Sequence, residues 1–256
     1  MRKLTGDPAA YRRLGALLIE GDHLCAAWVA RQRGPVLHAV VSEAGWSQPR
    51  LQKLAAEADE ISVVGDEAMA SVSALESPAA IVFLVALPSA EGIRPGEATV
   101  VLDAVQDPGN VGTILRSAAA FGFTQAIALA GTAALWAPKV VRAGMGAHFA
   151  MHLVEGAEAA ALGALTVPLL GTSSHSAQRL DSAPLPWPCA WVLGHEGQGL
   201  SPAVAKRCAM LLRIPQPGGE ESLNVASAAA VCLYESARQR GDEALDLSGG
   251  GSARSR

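Results

Sequence analysis

ATVVLDAVQDPGNVGTILRSAAAFG, residues 98–122, runs from an unbroken apolar segment through a turn into a helix and stops at a glycine. The run 98–105 reads as a strand, and Asp107-Pro108-Gly109-Asn110 as a turn. The helix expected over Asn110–Phe121 is closed by Gly122 at the usual C-terminal glycine position. The same alternation continues downstream. QAIALA (125–130), MHLV (151–154), VPLLGTSS (167–174), CAWVLG (189–194) and MLLRIP (210–215) read as strands. Helices are expected over 138–143, 155–165, 201–208 and 223–240. Pro138 suits a first helical position because its missing N–H has no partner there anyway. Continuous apolar strands alternating with helices predict an α/β fold, with a mostly parallel sheet covered by helices on both faces.

Upstream of residue 98 the pattern is smaller in scale. Tyr11–Ile19 and Asp22–Arg31 read as amphipathic segments, VLHAVVS (36–42) as a strand and Arg50–Asp59 as a helix. ISVVG (61–65) reads as a strand, Asp66–Ser73 as a helix and AAIVFLVAL (79–87) as a buried strand. This is a smaller N-terminal αβα domain. Residues 88–97 hold two prolines and two glycines, which suits a boundary. The expected division is a domain over 1–92, a linker over 93–97 and a domain over 98–240. The tail 241–256, ending SGGGSARSR, is expected to be disordered.

Composition excludes several functions. Half of the 256 residues are apolar, which marks a globular chain. The longest apolar run, Ala79–Leu87, ends at Pro88, far short of the roughly 20 residues of a membrane span. The start, MRKLTGDPAAYRRL, lacks the apolar core of a secretion signal. The expectation is a soluble, cytoplasmic protein with no membrane partner. The four cysteines are scattered in apolar contexts and the six histidines form no ligand pair, so no metal site is expected. A net charge of −4 argues against a general nucleic-acid coat but not against a local basic strip, and Arg12, Arg13, Arg31 and Arg33 crowd the first part of the chain. On charge alone, such residues read as a solvated helix face.

Three loops carry the chemistry. They are the block from Asn110, GHEGQGLS (194–201) and IPQPGGEESLN (214–224). Each follows an apolar run and leads into a helix, and strand-exit loops of this kind converge on one ligand site in α/β domains. No GxxxxGK[ST] phosphate loop, dinucleotide fingerprint or GxSxG elbow occurs. Taken by itself, Asn110 reads as a helix cap. Arg116 stands among Val111, Ile114, Leu115, Ala118 and Ala119, so it must reach solvent or serve a purpose. Glu196 lies between glycines, where no regular element requires it; the two are either a structural ion pair or a site in which the carboxylate orients the guanidinium.

NVGTILRSA (110–118), VLGHEGQGLS (192–201) and IPQPGGEESLNVASAAA (214–230) resemble, in order and spacing, the three signature motifs of the SpoU (TrmH) family of RNA ribose 2′-O-methyltransferases. KVVRAGMGAHF (139–149) resembles a further family segment. The similarity covers about residues 98–240, and YRRLGALLIEGDHL (11–24) resembles the opening of the family's RNA-binding N-terminal domain. The resemblance implies a C-terminal trefoil knot and a homodimer. It implies S-adenosylmethionine held by Leu193, Gly194, Glu196, Ile214 and Leu223, with Asn110, Arg116, Glu196, Ser222 and Asn224 as the catalytic set. RNA would be bound by Arg12, Arg13, Arg31, Arg33 and Arg116, and ribosomal RNA is the expected substrate. Transfer RNA is the alternative substrate, and a non-catalytic RNA-binding or assembly factor is the competing class. His195 departs from the smaller residue many members carry between Gly and Glu.

Overall fold

The computed structural model describes residues 1–249 apart from 74, 76, 90 and 219–221. In chain order the first elements are α1 (Arg2–Gly6), α2 (Ala10–Leu14), β1 (Ala16–Glu20), α3 (Asp22–Ala30) and β2 (Val36–Ser42). They are followed by α4 (Glu43–Trp46), α5 (Pro49–Ala55), β3 (Ile61–Val64), α6 (Asp66–Val72) and β4 (Ile81–Ala86). Then come β5 (Thr99–Asp103), α7 (Pro108–Ala120), β6 (Gln125–Leu129), α8 (Pro138–Ala143), β7 (His152–Ala157) and β8 (Leu169–Thr172). The last are β9 (Ala190–Gly194), α9 (Pro202–Ala205), β10 (Met210–Leu212) and α10 (Val225–Gly249).

Contacts divide the chain into two compact units. The first comprises Met1–Glu91, Asp107–Arg116 and Ala133–Met151. Its sheet has the order β1-β4-β2-β3, with β4 antiparallel to both neighbours and β3 parallel to β2. The segment Tyr11–Ile19, expected as one amphipathic stretch, is two elements. Gly15, at φ +60°, ends α2 in a left-handed turn. ALLIE then alternates in burial as a strand one face of which is covered, pairing Ala16 with Ala86 and Leu18 with Leu84. Trp28 of α3 is buried and meets Phe149 edge to face at 5.2 Å, so a residue late in the sequence completes this core.

The second unit comprises Gly92–Gln106, Ser117–Thr132 and residues from His152 onward. Its six strands are all parallel, in the order β10-β8-β9-β5-β6-β7. Every residue of β5 and β6 is buried, and successive side chains point to opposite faces, so both faces are covered. Val101, Ile127, Leu169, Val192 and Val204 form one apolar cluster. Buried Gln125 fixes the chain entering β5: its amide donates to the Arg94 carbonyl and to Thr99 Oγ1, and accepts from the Arg94 N–H. The helix expected over 155–165 does not form. Residues through Ala157 pair with β6 as β7, and only a 3-10 segment, Ala159–Ala164, follows. Pairing with a buried neighbour overrides the helical propensity of an Ala-rich run. The helix expected to end at Arg240 continues to Gly249, through good helix formers such as Glu243, Ala244 and Leu245. The disordered tail expected over 241–256 is thus helical to Gly249, and its remainder, 250–256, lies outside the described residues.

Candidate active site

In the first unit, α7 carries Asn110 and Arg116. The helix is capped not by Asn110 but by Asp107, whose Oδ1 accepts the Asn110 N–H at 2.8 Å, with Pro108 at the first helical position. Asn110 is half-buried within the first turn. Val111, Ile114, Leu115 and Ala118 are completely buried, whereas Thr113 and Arg116 are exposed on the other face. The helical period thus accounts for an Arg that looked misplaced in an apolar string. No hydrogen bond or ion pair engages Arg116 among the described residues. Gly112 admits no side chain: a Cβ there would stand 2.5 Å from Ala143 Cβ and 2.6 Å from the Val140 carbonyl. The close approach this glycine permits is that of α8.

The N-terminal arginines differ in their engagement. The Arg12 guanidinium lies over the Tyr11 ring at 5.4 Å and its Nε donates to the Tyr11 hydroxyl. Arg13 pairs with Asp7 at 2.9 Å, which with the Ala9 N–H holds that carboxyl below its ordinary range. Arg31 is exposed, and Arg33 is half-buried with an Nε that has no partner among the described residues.

In the second unit β8, β9 and β10 lie side by side and parallel, so their exit loops emerge together at one end of the sheet. The loop after β9 folds back on itself. His195 and Gly199 exchange backbone hydrogen bonds of 3.0 and 2.8 Å, with Gly199 at φ +69°. A Cβ on Gly194 would come within 2.3 Å of the Gly199 backbone. Gly194 and Gly199 are therefore required by the loop's own closure, not simply by the approach of a ligand. His195 Nδ1 accepts the Gly197 N–H at 2.9 Å and the Gln198 N–H at 3.3 Å, which requires that nitrogen to be unprotonated. The exposed Glu196 carboxylate accepts the Gln106 N–H at 3.3 Å, tying this loop to the exit of β5. Leu193 is buried, so only its backbone can meet a ligand.

Asp103, which the sequence reading passed over, is buried at the end of β5 and accepts the Ser201 N–H at 2.7 Å. An acid closing an otherwise apolar strand was the available signal. After β10, Arg213 exchanges backbone hydrogen bonds with Gln178 and Leu180. Arg179, Arg213, Ile214, Pro215, Gln216 and Pro217 line an open depression of about 430 Å³. Ser222, Leu223 and Asn224 are exposed. Asn224 caps α10, its Oδ1 accepting from Ala226 at 2.9 Å and Ser227 at 3.2 Å. Burial drives the Cys25, Cys189 and Cys232 thiols far above the ordinary range, Cys189 to about 12, so they are unreactive core residues. Among the described residues no group of three His, Cys, Asp or Glu side chains could hold a metal ion, and no helix is long and apolar enough to cross a membrane.

These features define an α/β protein with candidate binding loops at the exits of parallel strands, and known proteins narrow the class. Residues 97–234 match the SpoU rRNA Methylase family, and the chain belongs to it. It is 29% identical over 225 residues to the 23S rRNA (guanosine(2553)-2′-O)-methyltransferase of Bacillus subtilis, covering 87% of this chain and 88% of that one. It is 28% identical over 266 residues to the 23S rRNA (uridine(2479)-2′-O)-methyltransferase of Streptomyces viridochromogenes, covering 93% of each. Among solved structures, the SpoU methyltransferase AviRb from Streptomyces viridochromogenes in complex with AdoMet superimposes with a TM-score of 0.82 at 26% identity, covering 93% of this chain and 96% of that one.

Proposed function

We propose that this chain transfers the methyl group of S-adenosylmethionine to a ribose 2′-hydroxyl of ribosomal RNA. The observation that carries the reading is the placement of β9 and β10 on either side of β8 in one parallel sheet, so that the β9 and β10 exit loops, which resemble the family's second and third motifs, emerge at the same end. The residues fit the cofactor. Gly194 and its neighbours Leu193 and Glu196 offer backbone at the end of β9, while Ile214 and Leu223 offer apolar side chains for a purine. Ile214 lines the open depression of about 430 Å³ at the exit of β10, which gives a flat ring room to enter. When bound, the cofactor supplies an electrophilic methyl on sulfur.

The chain's own work is orientation and charge stabilisation, which together account for several kcal/mol of barrier lowering in such reactions. Arg116 binds the phosphate 3′ to the target ribose and stabilises the developing alkoxide. Its exposure, with no partner among the described residues, leaves the guanidinium available for this. A guanidinium, with a pKa above about 12, is a poor base, so the phosphate assists proton loss. Glu196, Asn110, Ser222 and Asn224 complete the polar set, and the cap made by Asn224 fixes the start of α10 beside Leu223. In this reading residues 98–240 form the methyltransferase domain, with the trefoil knot the resemblance implies. Residues 1–92 form the RNA-binding domain, using Arg12, Arg13, Arg31 and Arg33, 93–97 the linker and 241–256 the tail. Exposed Leu223, Val231 and Tyr234 support a homodimer, and the protein acts in the cytoplasm.

Incubation with methyl-labelled S-adenosylmethionine and separate ribosomal and transfer RNA pools tests the reading. Label in ribosomal RNA, recovered as an alkali-resistant 2′-O-methyl dinucleotide, is the expected result. Label only in transfer RNA would reassign the substrate, and RNA binding without transfer would make the chain an assembly factor. Arg116→Ala should lower the turnover rate by about 100-fold or more, the scale of losing one charge-stabilising donor. Arg116→Lys keeps the charge but not the planar fork, and should also fall well below the parent rate; parity would refute the positioning role.

A further inference from the structure

In the first unit, the turn after α8 presents Met145 at φ +48°, the left-handed region that glycine enters more cheaply, with 44% of the residue exposed. Both neighbours are pinned. A Cβ on buried Gly144 would stand 2.5 Å from His148 Cε1, and Gly144 N lies 2.8 Å from the place that a Cβ on Gly112 would take. His148 is itself held, its Nε2 donating to the Leu135 carbonyl at 2.8 Å and its ring 5.4 Å from that of Trp136. On the other side, a Cβ on Gly146, at φ +88°, would come within 3.3 Å of Ala27 Cβ in α3. Backbone strain that the surroundings over-determine in this way concentrates where a side chain is presented for use.

The surroundings specify the use. Gly112 and Arg116 are four positions apart on α7, so the face against which the turn packs is the face that carries Arg116 one helical turn on. The charged residues of α7 and of 133–151 are Arg116, Lys139 and Arg142, with no acidic side chain among them, in a chain whose net charge is −4. The result is a cationic surface with an apolar, polarisable tip. Guanidinium and ammonium groups suit phosphate, and a thioether suits the flat face of a base. A second copy of this chain packed on the same face by two-fold symmetry would bring like charges together, so RNA fits the surface better.

We propose that Met145 is a positioning residue for the substrate RNA, its thioether packing against the base beside the phosphate that Arg116 binds. The assignment rests on the reading above that Arg116 binds RNA, and adds the side chain that holds the neighbouring base. Filter binding of deproteinised ribosomal RNA and methyl-transfer kinetics, on the full-length parent, Met145→Gly and Met145→Leu, test it. Met145→Gly removes the side chain and the left-handed strain together, so its denaturation midpoint should not fall. Its RNA affinity and its kcat/KM for RNA should each drop about tenfold, mainly through KM, on the scale of returning a partly buried apolar side chain to water. Affinity for S-adenosylhomocysteine, measured by calorimetry, should not change, and Met145→Leu should recover most of the loss. RNA affinity in Met145→Gly equal to that of the parent overturns the assignment. So does a loss accompanied by a lower mass in sedimentation, which would make Met145 a contact between copies. A parent that binds ribosomal RNA without transferring methyl ends the catalytic reading alone, and the binding comparison still decides Met145; a parent that binds no ribosomal RNA ends both.

Discussion

His195 occupies the second position of the β9 exit loop, where an imidazole near a methyl donor invites the role of a general base. Its geometry supports another role: Nδ1 accepts two backbone N–H groups and closes the turn. An asparagine oxygen can take over that acceptor role, since such side chains hydrogen-bond to backbone two residues on. His195→Asn is therefore expected to preserve both cofactor affinity and the pH–rate profile. His195→Ala should weaken cofactor binding by roughly fivefold, the scale of one net hydrogen bond. A pH–rate profile altered by asparagine would restore the general-base role. Gly112 and Gly194 make a related point. Both are glycines that admit a close approach, and the approaching partner is α8 at Gly112 and the loop's own return at Gly194. A sequence shows that a side chain is missing, not what fills the space.

At the scale of elements, the reading held where the signal was local. The helix at Pro138–Ala143 and the strands around 99–103, 125–129 and 190–194 follow from one proline and three continuous apolar runs. It failed where pairing decided. β1 was hidden behind α2 because a single glycine separates them, and β7 absorbed residues that an Ala-rich run assigned to a helix. The contact between β9 and α10 could not be read at all: buried Trp191 Nε1 donates to Ser236 Oγ at 2.9 Å across 45 positions. Ser236→Ala would leave that indole N–H unsatisfied in the core. It should cost about 1–3 kcal/mol in chemical denaturation, and no change in midpoint would mean that the pair contributes nothing.

At the scale of the whole molecule, two responses should be measurable. Buried His148 donates through Nε2 to the Leu135 carbonyl, taking that contact as Nε2–H, while its Nδ1 has no partner among the described residues. Burial pushes its pKa down from 6.5 to about 4. The folded state therefore resists a proton that the unfolded chain accepts. Stability from this group is complete above about pH 6.5 and is lost progressively as pH falls toward about 4. Denaturation midpoints should decline across that window, and His148→Phe should flatten the decline; an equal slope in both proteins would exclude His148 as its cause. The second response concerns RNA. Reversing charge at Arg12 and Arg13 together should weaken binding across sequences and reduce the salt slope by roughly 1–2, as measured by filter binding at several salt concentrations; unchanged affinity at low salt would remove these residues from the interface. By itself the sequence determined the α/β alternation, the three motif loops and the family they resemble, because apolar period, turn residues and motif spacing are properties of neighbouring residues. Only the tertiary structure decided that Asp107 rather than Asn110 caps α7, that Asp103 holds the loop at Ser201, and that the Gln216 Oε1 atom is buried without a partner among the described residues. Those facts depend on which side chains the fold brings together and which it removes from water, and neither quantity is local in the chain.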